Sequence, residues 1–414
     1  MRLKSLDVFR GIAIASMILV NNPGSWKHIY WPLEHAVWHG CTPTDLVFPF
    51  FLFIVGCAMS FSLSKYTQTT IKIETEASKI REPQKQIKTE KTSLSSSFPP
   101  SGEVGEGFLL PSSNIYWRIA RRSAILFILG LLLNTSSIAL DVLLNNAPAN
   151  FGKIRIMGVL QRIGLAYFIS AIVILNLSAR HQKLLAIALL FGYWAALTVF
   201  AVGGYSAGEL TPEGNLGGYI DRLILGSQHL YKGGPFDPEG LFSTLPAVVT
   251  VLIGYFTGEW LRVQPIKTRT SINLVIFGLS CVVIGSLWGF LFPINKQLWT
   301  SSYVVFTAGW ALLLLAVCYE TIEVRGWKWG RPFEIMGLNA IFLFVASGIV
   351  ARILLKTHIG SGEKPPSTYT WIYENWFVPW AGPLNGSLAF AMTAVLFWWL
   401  ILYGMYRRGW VLKI

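Results

Sequence analysis

Residues 21–50, NNPGSWKHIYWPLEHAVWHGCTPTDLVFPF, lie between two apolar runs. They gather His28, His35, His39, the pair Asn21-Asn22 and Asp45 into one short stretch. Ionisable groups at membrane depth are costly, so a chain that keeps them there usually uses them. His35 is the first candidate: an imidazole can accept and return a proton near neutral pH, as acyl transfer to an amine or hydroxyl requires. The plain alternative is an interfacial histidine that merely hydrogen-bonds a loop. His28 and His39 are weaker candidates of the same kind. The spacing His35-x-x-x-His39 would put both rings on one helical face, but Ala36 stands where H-E-x-x-H needs its glutamate, and no third ligand is evident. No metal is therefore expected.

Asp45 opens the next apolar run in TPTDLVFPFF. A carboxylate in a first helical turn complements the dipole, with Thr42 or Thr44 able to cap. It could equally orient and polarise His35, and both roles can hold at once. Asn21 and Asn22 precede Pro23-Gly24 as natural helix C-caps, yet their amides could hold a carbonyl or a developing oxyanion. Gln161, Arg162 and Asn339 are polar residues inside apolar stretches and must face the bundle interior or a cavity. Arg118, Arg121 and Arg122 flank another apolar run; they suit lipid headgroups or the phosphates of an entering cofactor. These six are the candidate cofactor-binding residues. Trp38, Asp237 and Glu239 are the candidate acceptor-binding residues, the two carboxylates alternatively shaping a turn. Asp7 and Arg10, three apart, read as a structural pair.

The elements that must position these groups are membrane helices. Hydrophobic residues make up 53% of the 414, charged residues only 13%, against about a quarter in soluble chains. Ten apolar segments are long enough to cross a hydrocarbon core, at about 6–22, 44–64, 115–134, 158–177, 184–202, 244–261, 272–292, 300–321, 333–355 and 388–406. The 17 Trp and 15 Tyr suit the two interfaces. The first apolar run ends in NNPG without a cleavage site, so no signal peptide is expected. The four scattered cysteines support neither a disulfide framework nor a metal site. Residues 65–114, rich in Lys, Ser, Thr and Glu, read as a flexible cytoplasmic insertion. Loops 203–243 and 356–387 are long and aromatic and read as ordered caps. Alternating sides carry 24 and 9 Lys and Arg, with Arg162 inside a helix. By the positive-inside rule both termini are cytoplasmic and the His35 loop faces outward. The net charge of +13 thus reports topology, and no nucleic-acid partner is expected.

Several ordered blocks carry a resemblance. RLKSLDVFRGIAIASMILVNNPGSW, HAVWHGCTPTDLVFPFFLFIVG, RIMGVLQRIGLAYF, GYIDRLILG with FDPEGLFSTLP, and MGLNAIF resemble, in this order, the catalytic core of the heparan-α-glucosaminide N-acetyltransferase family. They resemble its bacterial relatives within the transmembrane acyltransferase superfamily more closely still. The likeness covers nearly the whole chain outside 65–114. It implies transfer of an acetyl group from cytosolic acetyl-CoA to a sugar amine held outside. It places the family's active-site histidine on His35, its aspartate on Asp45, its asparagine after the first helix on Asn21 or Asn22, and its G-x-N asparagine on Asn339. NNPGSW departs from the family's glycine-rich loop, and the outer loops differ, so heparan sulfate itself is not the expected acceptor. The absence of the eukaryotic amino-terminal lumenal portion suggests a bacterial inner-membrane protein.

The expectation is thus an all-α, polytopic helical bundle of about ten transmembrane helices, forming a single transmembrane acyltransferase domain over residues 1–414. Its partners would be acetyl-CoA, a glycan or amino-sugar acceptor and membrane lipid; a homodimer is left open. His35 acts as general base or as acyl carrier, and the sequence does not separate the two. A secondary transporter is the alternative, although no pairing between the halves supports inverted repeats. An inactive scaffold is a third reading, disfavoured by the retained His35, Asp45 and Asn21-Asn22.

Overall fold

The structure is a computed structural model and describes residues 3–64, 66, 113–145, 148, 150–360, 362 and 365–412. All its regular elements there are helical. Helices run α1 (Lys4–Asn21), α2 (Val47–Ser62), α3 (Ser113–Asn145), α4 (Val159–Asn176), α5 (Ala179–Val199), α6 (Leu216–Leu225) and α7 (Thr244–Val263). They continue as α8 (Thr268–Gly289), α9 (Ser301–Cys318), α10 (Arg331–Leu338), α11 (Ala340–Lys356), α12 (Thr368–Ile372) and α13 (Val378–Arg407). The insertion expected at 65–114 lies almost entirely outside the described residues.

Each of the ten predicted apolar segments falls on a helix. Among the described residues eight helices are long and apolar enough to cross a membrane on their own, and nine if α10 and α11, bent by 77°, make one broken span. The tenth segment is α1, which carries Lys4, Asp7 and Arg10 and yet packs with most of its residues buried. Arg10 and Asp7 form the expected i, i+3 pair at 3.5 Å.

Burial sorts the bundle into a centre and a rim. The apolar window of α2 is 72% buried, and α4, α7 and α9 are similar, whereas those of α3 and α8 are only 17% buried. In lipid there is little hydrophobic drive between helices, so close backbone approach through small residues does the packing. The α2–α7 pair shows it: a Cβ on Gly56 would stand 1.9 Å from the Val251 carbonyl oxygen, and one on Gly254 2.0 Å from that of Phe53. Gly258, four residues after Gly254, meets Cys57 and Ser60 in the same way.

Two boundaries differ from the sequence reading. Helix α3 continues past 134 to Asn145, because Thr135 and Ser136 donate back to the Leu131 and Leu133 carbonyls and so satisfy themselves within the helix. The loop expected at 356–387 is largely helical from Thr368 on, through α12, a π turn at Tyr373–Phe377 and the first part of α13. Gly382, at φ +73°, takes the kink that Pro383 imposes, so Gly and Pro mark a bend there and not an interhelical loop. The 203–243 loop is ordered, as expected, around α6 and short 3-10 turns.

Gly254→Val should lower the midpoint of thermal unfolding in detergent, since overpacking this crossing costs roughly 1–3 kcal/mol or more. A variant as stable as the parent would show that the helices do not meet there.

Candidate active site

Pro23-Gly24 carry the chain out of α1, and Pro43 begins the 3-10 turn Pro43–Leu46 that runs directly into α2. In that turn the Thr42 N–H donates to Asp45 Oδ2 at 3.0 Å, the reciprocal cap that a carboxylate at the third helical position makes. The Ala36 N–H donates to the same oxygen at 3.1 Å. Oδ1 faces His35 Nδ1 at 2.6 Å. Asp45 thus caps its turn with one oxygen and meets the His35 ring with the other. The carboxylate is 1% exposed, the imidazole 45%. A carboxylate oxygen and a bare Nδ1 are both acceptors, so a contact this short requires the proton on Nδ1. Nε2 then carries the lone pair and can act as base.

The backbone here is tied at several points. Tyr303 donates to the Asp45 carbonyl at 2.6 Å, Thr44 to the Pro32 carbonyl at 3.0 Å, and Thr42 Oγ1 to the Glu34 carbonyl at 2.6 Å. Residues 34–42 are not helical, so the expected shared face of His35 and His39 does not form. His39 turns to Asn295 instead, Nδ1 lying 3.4 Å from Nδ2, and burial lowers its pKa. Burial and the neighbouring Asp45 charge push the Cys41 thiol up to about 12, which keeps it a neutral thiol.

A third charged group completes the cluster. The Gly40 N–H donates to the Ile294 carbonyl at 2.7 Å, lacing the His35 loop to residues 290–300 between α8 and α9. This places Lys296 Nζ 3.4 Å from Asp45 Oδ1 and 3.0 and 3.4 Å from His35 Nδ1 and Nε2. The turn is fixed by Trp299, which adopts φ +53°, a conformation that non-glycine residues rarely hold without strong surroundings. Trp299 is buried between Phe48 and Tyr303 and donates to Thr250 Oγ1 at 3.3 Å. Lys296 is not among the candidates that the sequence singles out; its one signal there is its position as a lone basic residue on the sparsely charged side, close to a Trp.

The other candidates are engaged elsewhere. Asn22 Nδ2 donates to the Ile18 carbonyl at 2.8 Å, a C-cap arrangement, and Asn21 is exposed. Trp38 Nε1 donates to the Leu210 carbonyl at 2.9 Å and its ring meets the edge of Phe236, so it pins the 203–243 cap beside the site. Asp237 and Glu239 both receive Arg155: its Nε and Nη2 lie 2.9 and 2.5 Å from the two Asp237 oxygens, and Nη2 also bonds Glu239. Burial opposes ionisation of these groups, but the mutual charges prevail. Arg155 is raised above, and Glu239 held below, its ordinary value. Arg162 is fully buried over the Trp299 ring, with Nη2 on Ser243 and the Gly240 carbonyl. Gln161 donates to the Ile156 carbonyl at 3.0 Å. Asn339 clamps the chain end at the α10–α11 bend, donating to the Trp410 carbonyl and accepting the Leu412 N–H at 2.8 Å. Arg118 and Arg121 are exposed on α3.

Arg122 lines a cavity of about 390 Å³ between α1, α2, α3, α4 and the α10–α11 bend. Arg10 lines it too, and much of the rest is apolar. Its α2 wall reaches from Phe51 to Ser62, roughly 16 Å of helix. Neither His35 nor Asp45 lines it; Asp45 is six residues, roughly 9 Å, before Phe51.

A helical bundle with eight or more membrane-length helices, carrying a buried carboxylate against a half-exposed imidazole, defines a polytopic membrane protein with a carboxylate–imidazole pair at one end. Residues 2–293 match the family model described as "Heparan-alpha-glucosaminide N-acetyltransferase, catalytic", and the chain belongs to that family. It is 29% identical over 465 aligned positions to heparan-alpha-glucosaminide N-acetyltransferase of Homo sapiens, covering 98% of this chain and 59% of that protein. The Mus musculus protein of the same name is 29% identical over 400 positions, covering 84% of this chain and 54% of its own length. The chain thus spans little more than half the length of these relatives. His35, Asp45 and Arg122 lie inside the matched region, and Lys296 just beyond it.

Arg155→Met leaves Asp237 buried without its partner and should destabilise the protein by about 3–5 kcal/mol, read as a fall in unfolding temperature. Glu239→Gln, which leaves Asp237 paired, should cost clearly less. Equal losses would show that Asp237 is not the residue that needs the arginine.

Proposed function

We propose that the chain is a membrane acetyltransferase that moves the acetyl group of cytosolic acetyl-CoA to an amine or hydroxyl of an extracytoplasmic amino sugar or glycan. The observation that carries this reading is the 2.6 Å contact between His35 and Asp45, which fixes the Nδ1 proton and frees Nε2, within a chain of this family. The acceptor nitrogen or oxygen bonds to the thioester carbonyl carbon while its proton passes to His35 Nε2. The tetrahedral intermediate then collapses with cleavage of the C–S bond, and the imidazolium returns the proton to the departing CoA sulfur. Asp45 holds the ring and stabilises the imidazolium throughout.

The cavity beside α2 suits the donor. Arg10 and Arg122 can meet phosphates, Arg118 and Arg121 extend the positive region on α3, and the apolar wall along α2 is of the length and character that a pantetheine arm needs. The side with more Lys and Arg is the arginine end, which supports cofactor entry from the cytosol. In the chain between Asp45 and the cavity-lining Phe51 lie buried Val47 and Phe48, and the thioester passes this end of the helix to reach the imidazole. Gln161, Arg162 and Asn339 hold the frame of the site in this reading and do not grip the cofactor.

His35→Ala should abolish acetyl transfer from acetyl-CoA to glucosamine as probe acceptor, while the variant stays monodisperse in detergent. Undiminished transfer would reject the role of His35. Arg122→Ala should raise KM for acetyl-CoA by roughly 10-fold or more, the worth of one charge-assisted phosphate contact, with kcat nearly unchanged. Direct attack predicts intersecting initial-rate lines; parallel lines would assign an acyl-imidazole on Nε2 in its place.

A further inference from the structure

The Lys296 ammonium has an unusual relation to the imidazole. Its distances of 3.0 and 3.4 Å to the two ring nitrogens are nearly equal, so it stands against the ring and off the in-plane lone pair of either. It therefore does not compete with Asp45 for Nδ1 and does not occupy Nε2 as a hydrogen-bond donor along its lone pair. An ammonium in this place tolerates a neutral imidazole and repels an imidazolium. Asp45 does the opposite: a lone carboxylate at 2.6 Å from Nδ1 draws a second proton onto the ring. The two charges stand 3.4 Å apart.

We propose that Lys296 is a positioning residue that keeps the His35 imidazole uncharged beside a permanently ionised Asp45, so that Nε2 is a base in the resting site. This rests on the reading of His35 as the base. The remaining groups around the ring do not supply that charge. Glu34 adjoins His35 in its own loop and is exposed; His39 turns to Asn295; Cys41, in the stretch of chain before α2, is a neutral thiol. From α9, Tyr303 reaches only the Asp45 carbonyl. From the 203–243 cap, Glu239 adds a negative charge near Lys296 that is already paired with Arg155. Lys296 is the one cation within bonding distance of both members of the pair among the described residues. Two backbone bonds hold its turn in shape, from the Thr300 N–H to the Asn295 carbonyl and from the Trp299 N–H to the Lys296 carbonyl, both at 3.1 Å.

The test is the pH dependence of kcat/KM for acetyl transfer to glucosamine, measured on the full chain in detergent or nanodiscs for the parent, Lys296→Met and Lys296→Arg. Removing the positive charge stabilises imidazolium, so the acid limb of the Lys296→Met profile should move upward by about one pH unit. The rate on the acid side of the parent limb should fall by up to about ten-fold and recover towards pH 9. Lys296→Arg, which keeps the charge, should retain the parent limb. A Lys296→Met profile that is lower at every pH with its limb unmoved would overturn the proposal and leave the lysine a loop anchor. If Lys296→Met does not fold, the same shift is sought in Lys296→Gln at two ionic strengths, where an unmoved limb overturns it equally. Failure of the parent reading is separate: His35→Ala would then retain transfer whatever the lysine variants show.

Discussion

A buried carboxylate is tolerable only if its lone pairs are met, and Asp45 meets this condition by collecting four partners. Two backbone N–H groups, from Ala36 and Thr42, take one oxygen; the His35 ring and the Lys296 ammonium share the other. This end of the bundle is organised around that requirement. The His35 loop folds back because Asp45 needs its amides, and the turn before α9 approaches because the carboxylate needs a counter-charge. Tyr303 then fixes the Asp45 backbone from α9, so that helix packing and site geometry are set by the same few contacts.

Helix α2 joins the two parts of the proposed chemistry. Asp45 lies in the 3-10 turn that leads into it, and residues between Phe51 and Ser62 form one wall of the cavity that Arg10 and Arg122 also line. Its opposite side is pressed onto α7 through Gly56, Gly254 and Gly258. Helix α1, though marked by three charged residues, belongs to the same interior and brings Arg10 and Met17 to the cavity.

Much of this is legible in the sequence, for local reasons. His35 and Asp45 are ten residues apart, and Pro43 with Thr42 announces the capped turn that brings them together. The apolar runs locate the helices, including the broken span at MGLNA, where Asn339 sits at the bend. Lys296 is not legible, because its partners lie more than 250 residues away and its meaning comes from a tertiary contact between two loops. The amides mislead for a related reason: a buried Asn or Gln announces a need for partners, but not that a nearby carbonyl satisfies it, as for Asn22, Gln161 and Asn339. Asp237 and Glu239 likewise find their cation in Arg155, from a different loop. The region 356–387 reads as loop because proline and glycine end many helices, whereas here they only kink one.

The glycine contacts along α2 also bear on how a donor in the cavity could approach the imidazole. A helix whose backbone meets its neighbour this closely, as at Gly56 and Gly254, slides or rotates only against steric collision. Helix α2 is therefore held in register against α7. In the proposed reading, movement that widens a passage from the arginine end to the imidazole falls to the elements across the cavity, with α2 and its carboxylate as the reference.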